Sequence, residues 1–198
     1  MLFRSNTADT QAGLLFLRED KSVLRSSDPT SRAVTVTGNT IGENRNGILL
    51  DARNGSIDLL DFNVSNNFIG TDSTGADLGN AVDGVSLITQ ADARLLVDMD
   101  NNQIRFNNGN GIYSSDVVGS FSADKRQVGG VWTNNTISDN SQSGIFISGR
   151  HGLSDEVTGI KSPLVIGQEG RGNAIENNGT NRSEEHTSEL QSRFGISY

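Results

Sequence analysis

Arg150 and His151 are neighbours in Gly149-Arg150-His151-Gly152, and together they offer a proton-transfer or substrate-contacting pair near neutral pH. The stretch has no second histidine and no nearby carboxylate, so a surface loop explains it equally simply. Lys125-Arg126 is the other basic pair available to a reaction that needs a cationic base. The densest acidic spot is Asp98-Met99-Asp100-Asn101-Asn102. As a calcium loop it lacks both the glycine for a sharp turn and the closing glutamate, which leaves a solvated turn as its reading. Asp72-Ser73-Thr74-Gly75-Ala76-Asp77 is rich in oxygen ligands. Calcium is the one cofactor such a run would suit, although an Asx-type turn accounts for the same residues. No acid and base stand close enough in sequence to announce a hydrolase.

What positions these groups is a repeat. One unit recurs as Gly38-Asn39-Thr40-Ile41, Asn66-Asn67-Phe68-Ile69, Asn101-Asn102-Gln103-Ile104, Asn134-Asn135-Thr136-Ile137 and Gly172-Asn173-Ala174-Ile175. Its isoleucines are 28, 35, 33 and 38 residues apart, which is the length of one solenoid coil with loops of varying size. Three residues before the repeated asparagine stand Val36, Val64, Met99 and Trp132, so Trp132 is expected in the core rather than as a sugar platform. Five residues after it stand Asn44, Asp72, Asn107, Asn140 and Asn178. Then comes a glycine followed by a β-branched residue, in Gly47-Ile48, Gly84-Val85, Gly111-Ile112 and Gly144-Ile145.

Each position has a physical reason. Glycine allows positive φ and close approach between coils. An unpaired buried amide costs about 1–3 kcal/mol. One asparagine per coil at the same place removes that cost, because each amide can donate to the next along the stack. Asn39, Asn67, Asn102, Asn135 and Asn173 should therefore form one internal ladder, with the isoleucines in a column beside it. The runs after each glycine alternate like half-buried strands. Ile48, Val85, Ile112 and Ile145 point inward in this reading, and Leu49, Ser86, Tyr113 and Phe146 point outward. Tyr113 and Phe146 would then meet on one sheet face, as a cross-strand pair or as a surface for sugar rings. Residues 14–17 read as one strand of an earlier coil.

Asn67-Phe68-Ile69-Gly70-Thr71-Asp72-Ser73-Thr74-Gly75, with the Asn80-Ala81-Val82-Asp83-Gly84-Val85 that follows, and Asn135-Thr136-Ile137-Ser138-Asp139-Asn140 with Ser143-Gly144-Ile145 resemble the pectate-lyase-like superfamily of parallel β-helix proteins. The similarity spans about residues 33–178. It implies an all-β, right-handed parallel β-helix of about five coils, located outside the cell or on its surface. The superfamily includes lyases, hydrolases, epimerases and non-catalytic surface proteins, so architecture alone does not choose among them. The expectation is a surface module that binds polysaccharide or another surface without catalysis of its own, with Tyr113, Phe146, Arg150 and His151 as contact residues. The alternative is part of a polysaccharide-cleaving or epimerising enzyme whose catalytic groups lie on further coils or on the Arg150-His151 loop.

Both ends read differently from the repeat. Residues 182–192, Arg-Ser-Glu-Glu-His-Thr-Ser-Glu-Leu-Gln-Ser, match the in-frame translation of a short-read sequencing adapter, and residues 1–5 match its other strand. The expected natural segment is thus residues 6–181, flanked by adapter-derived residues 1–5 and 182–198 and truncated at both ends. Setting the flanks aside removes Arg4, Arg182 and Arg193 together with Glu184, Glu185 and Glu189, which leaves the net charge of −8 unchanged. That acidity argues against nucleic acid or an anionic membrane as partner. No run is apolar enough to span a bilayer, and the absence of cysteine excludes disulfides and thiolate metal sites.

Overall fold

The computed structural model describes residues 2–3, 12–17, 34–52, 59–90, 94–117, 128–148, 153–154, 161–162 and 164–179. All of its regular elements are strands, and they follow the chain in coils of three. The first coil holds β1 (Leu2–Phe3), β2 (Ala12–Leu17) and β3 (Val34–Thr37). The second holds β4 (Thr40–Ile41), β5 (Asn46–Ala52) and β6 (Leu59–Ser65), and the third β7 (Phe68–Ile69), β8 (Val85–Gln90) and β9 (Arg94–Asp100). The fourth holds β10 (Gln103–Arg105), β11 (Ile112–Val117) and β12 (Val128–Thr133). In the fifth, β13 (Thr136–Ser138) and β14 (Ile145–Ser148) are followed by the short antiparallel pair β15 (Leu153–Ser154) and β16 (Lys161–Ser162), then by β17 (Leu164–Ile166); β18 (Ala174–Glu176) begins the next turn.

Corresponding strands of successive coils pair in parallel and build three sheets. The first has the order β1-β4-β7-β10-β13-β18, the second β2-β5-β8-β11-β14 and the third β3-β6-β9-β12-β17. The chain is therefore a parallel β-helix. Inward side chains of all three sheets make one core, in which Ile41, Ile69, Ile104 and Ile137 stack without exposure and Ile175 packs partly buried at the end. Val36, Val64, Met99 and Trp132 line the third sheet's inner face, so the tryptophan is a core residue. Residues 14–17 do belong to a strand, which pairs with β5.

The asparagine ladder stands at the turn from the third sheet to the first. Asn39, Asn67, Asn102 and Asn135 each donate through both backbone N–H and side-chain Nδ2 to the Oδ1 of the next asparagine, ending on Asn173, at 2.8–3.1 Å. The second Nδ2 proton goes back one coil, from Asn67 to Val36 O, Asn102 to Val64 O, Asn135 to Met99 O and Asn173 to Trp132 O. Asn67, Asn102 and Asn135 are almost fully buried, and every polar atom of these amides is used.

The residue before each ladder asparagine has its own task. Gly38, Asn66, Asn101 and Asn134 have φ between 54° and 69°, the left-handed conformation that glycine and asparagine enter most readily. Positive φ thus belongs to these positions. The sequence reading had assigned it to Gly47, Gly84, Gly111 and Gly144, where the structure instead demands space. A Cβ on Gly111 would lie 2.5 Å from Ile137 Cγ2 and 2.6 Å from Gly144 O, and Gly47, Gly84 and Gly144 meet the equivalent isoleucine of the next coil. Gly13 is a fifth member, against Ile41 Cγ2.

A second ladder occupies the turn from the first sheet to the second, and here one expectation is corrected. The column is Asn44, Asn80, Asn107, Asn140 and Asn178, not Asp72. The inserted residues 71–79 fold back on themselves through the Thr71–Asp77 bridge, which brings Asn80 into the place that counting gave to Asp72. A third column precedes the glycines and donates in the opposite direction along the stack. Asp83 N–H reaches Asn46 Oδ1, Asn110 N–H reaches Asp83 Oδ1 and Ser143 N–H reaches Asn110 Oδ1. Ser86 has the expected outward register yet is 2 % exposed, because its hydroxyl lies under Asn46 and Asp83.

Candidate functional site

The outer face of the second sheet carries one column through five coils: Leu15, Leu49, Ser86, Tyr113 and Phe146. Strand alternation turns these side chains away from the core, and parallel pairing without a register shift aligns them. Tyr113 and Phe146 stack, with ring centroids 5.5 Å apart and planes within 2° of parallel. Phe146 is 42 % exposed and Leu15 40 %, whereas Tyr113 and Leu49 are half-buried. Two residues further along the same strands, Ser148 Oγ donates to Ser115 Oγ at 3.2 Å. An aromatic step and a hydroxyl pair are thus separated by about 7 Å, the repeat of side chains on one face of a strand. The serines were overlooked in the sequence, although the parity that selected Tyr113 and Phe146 selects them too.

The acidic groups are committed to the scaffold. Asp98 Oδ1 accepts the Val131 N–H at 2.9 Å. Asp100 Oδ1 accepts from Thr133 Oγ1, Asn134 Nδ2 and Arg171 NH2, each at 2.8 Å. Partial burial alone would raise the Asp100 pKa, but these hydrogen bonds and the Arg171 charge outweigh it and hold the pKa below the usual carboxylate value. Both aspartates alternate with the buried Met99, so they stand on the outward side as the strand pattern requires, but each bonds to the neighbouring coil.

The insertion after Gly70 is an Asx turn. Asp72 Oδ1 accepts from Thr74 Oγ1 at 2.7 Å, Thr74 N–H at 2.8 Å and Ala76 N–H at 3.1 Å, and the Thr74 hydroxyl leads the contacts that lower its pKa. Asp77 Oδ1 takes the Gly79 N–H. Among the described residues, no group of three or more His, Asp or Glu side chains converges as a metal site would. A further ionic contact joins coils at Arg105, whose Nε and NH2 donate to Asp139 Oδ2 while its guanidinium lies 4.7 Å from the centroid of the Phe106 ring.

Arg150 and His151, as well as Lys125 and Arg126, lie outside the described residues. Of the four contact residues expected from sequence, the structure brings together Tyr113 and Phe146. No protein-family model matches this chain, and neither a curated protein nor a solved structure matches it.

Proposed function

We propose that this chain is a β-helix binding module of the pectate-lyase-like kind, secreted or held at a cell surface, which takes polysaccharide on the outer face of its second sheet. The observation that carries the reading is the parallel Tyr113–Phe146 pair with the Ser115–Ser148 hydroxyls beside it. A pyranose ring combines an apolar face with a rim of hydroxyls, and it binds where flat apolar surface and hydrogen-bonding groups occur together. Leu15 and Leu49 continue the column, so the surface extends along the solenoid as an elongated polymer requires.

The test is calorimetric titration of neutral and acidic polysaccharides against the chain and its Tyr113→Ala/Phe146→Ala variant, with circular dichroism confirming that both are folded. Binding by the parent and a loss of roughly tenfold or more in the variant are expected, since burying one aromatic face is worth about 1–3 kcal/mol. Equal affinities, or no binding by the parent, would remove this face as a glycan site.

A further inference from the structure

At the start of every second-sheet strand, two backbone N–H groups donate to the coil that follows. Gly47 and Ile48 donate to Asp83 O and Gly84 O at 3.0 and 2.9 Å, and Gly84 and Val85 to Asn110 O and Gly111 O at the same distances. Gly111 and Ile112 donate to Ser143 O and Gly144 O, both at 2.9 Å. The next pair in the series is Gly144 N–H and Ile145 N–H, and these have no acceptor among the described residues. β14 is the last strand of its sheet order, and its outer edge is where the series stops.

The same strand exposes apolar surface for a reason unrelated to the outer face. Ile147 shares an inward column with Leu50, Leu87 and Ser114, all fully buried, yet it is 38 % exposed. What differs is the neighbouring coil on its far side. In the preceding coils the first inward residue follows the second-ladder asparagine by four or five positions, as in Asn44 to Ile48 and Asn140 to Ile145. Five positions after Asn178, the sequence offers Ser183, Glu185 and Thr187 for the inward places. None is apolar, and an ionised glutamate over Ile147 would lose its hydration without compensation.

We propose that the free edge of β14 is a docking edge for an extended peptide strand supplied in trans. The strand runs parallel to β14, presents two backbone carbonyls to Gly144 and Ile145, and carries apolar residues at alternate positions over Ile145 and Ile147. This is strand addition to a sheet edge, in which main-chain bonds provide affinity and the alternating side chains provide selectivity. It does not depend on glycan binding, because it uses the edge of the sheet and not the outer face.

The experiment adds synthetic peptides to the full chain in the absence of glycan. One copies residues 80–90, whose Val85 and Leu87 have the required alternation; the other carries Val85→Asp and Leu87→Asp. Binding is measured by calorimetry and amide hydrogen exchange is followed at Gly144 and Ile145. The apolar peptide is expected to bind and slow exchange at both amides roughly tenfold or more. The aspartate peptide should do neither, and Ile147→Asp in the chain should abolish the effect. Equal binding by the two peptides, no binding by either, or protection that bypasses Gly144 and Ile145 overturns the proposal.

Discussion

The Asp98 carboxylate supplies, at 2.9 Å, the hydrogen bond that the backbone of β9 does not give to Val131 N–H. The strand ladder pairs Val128 and Gly129 with Leu95 and Leu96, and resumes with Trp132 and Thr133 opposite Met99 and Asp100. Between these pairs the backbone departs from the ladder at Gly130, whose φ is 122°. The Trp132 indole N–H takes Val97 O at 3.0 Å, which seats the largest buried side chain across a coil boundary. A side-chain bond therefore replaces a main-chain bond so that the ring can fit.

The first prediction follows from that exchange. Asp98→Ala leaves Val131 N–H without its partner and should destabilise the fold by about 1–3 kcal/mol, whereas Asp98→Asn keeps an acceptor and should cost less. Gly130→Ala should exceed both, because a Cβ there would meet Val97 O at 2.0 Å and the backbone is in a region that glycine alone enters easily. Urea unfolding followed by fluorescence of Trp132, the single tryptophan, measures all three. An unchanged midpoint in Asp98→Ala would mean that water serves Val131 equally well.

Adjacent asparagines should respond in opposite ways. Asn101 has φ of 54° and an exposed side chain, so Asn101→Gly keeps the conformation and should shift stability by less than about 1 kcal/mol. Asn102 is 1 % exposed, and its amide serves Asn67, Asn135 and Val64. Asn102→Gly strands several of those groups and should cost upwards of about 3 kcal/mol. Thermal melts of the two variants decide the matter, and similar losses would contradict the division of labour within the doublet.

Acid should weaken the chain through Asp100. Its folded pKa lies below the unfolded value, so the stabilisation is complete above the unfolded pKa and is lost as pH falls through the folded one. Stability should hold from neutral pH down to about 4 and then decline. Arg171 spans from the fifth coil back to Asp100, but the pair is 49 % and 40 % exposed, so solvent screening limits its worth to about 1 kcal/mol or less. Arg171→Gln should therefore reduce the acid slope modestly and make the remaining stability less sensitive to salt. Melts at pH 3, 4 and 7 (all nominal, about one unit apart or more) in low and high salt test this; an unaltered pH slope in the variant would show that the ion pair contributes nothing.

The ladder Asn39, Asn67, Asn102, Asn135 and Asn173 and the isoleucine column were legible in the sequence because every coil solves the same packing problem with the same residue type. Strand parity likewise showed that Tyr113 and Phe146 share a face, since alternation is a local property of extended chain. Three-dimensional packing decided what counting could not. Asn80 displaced Asp72 from the second ladder because residues 71–79 fold back through bonds to the Asp72 carboxylate, and a loop's path depends on its internal hydrogen bonds rather than its length. The same holds for Asp98 and Asp100: in sequence they are an acidic cluster, whereas in the fold each accepts hydrogen bonds from the next coil, a partner some 33 residues away that no local pattern names.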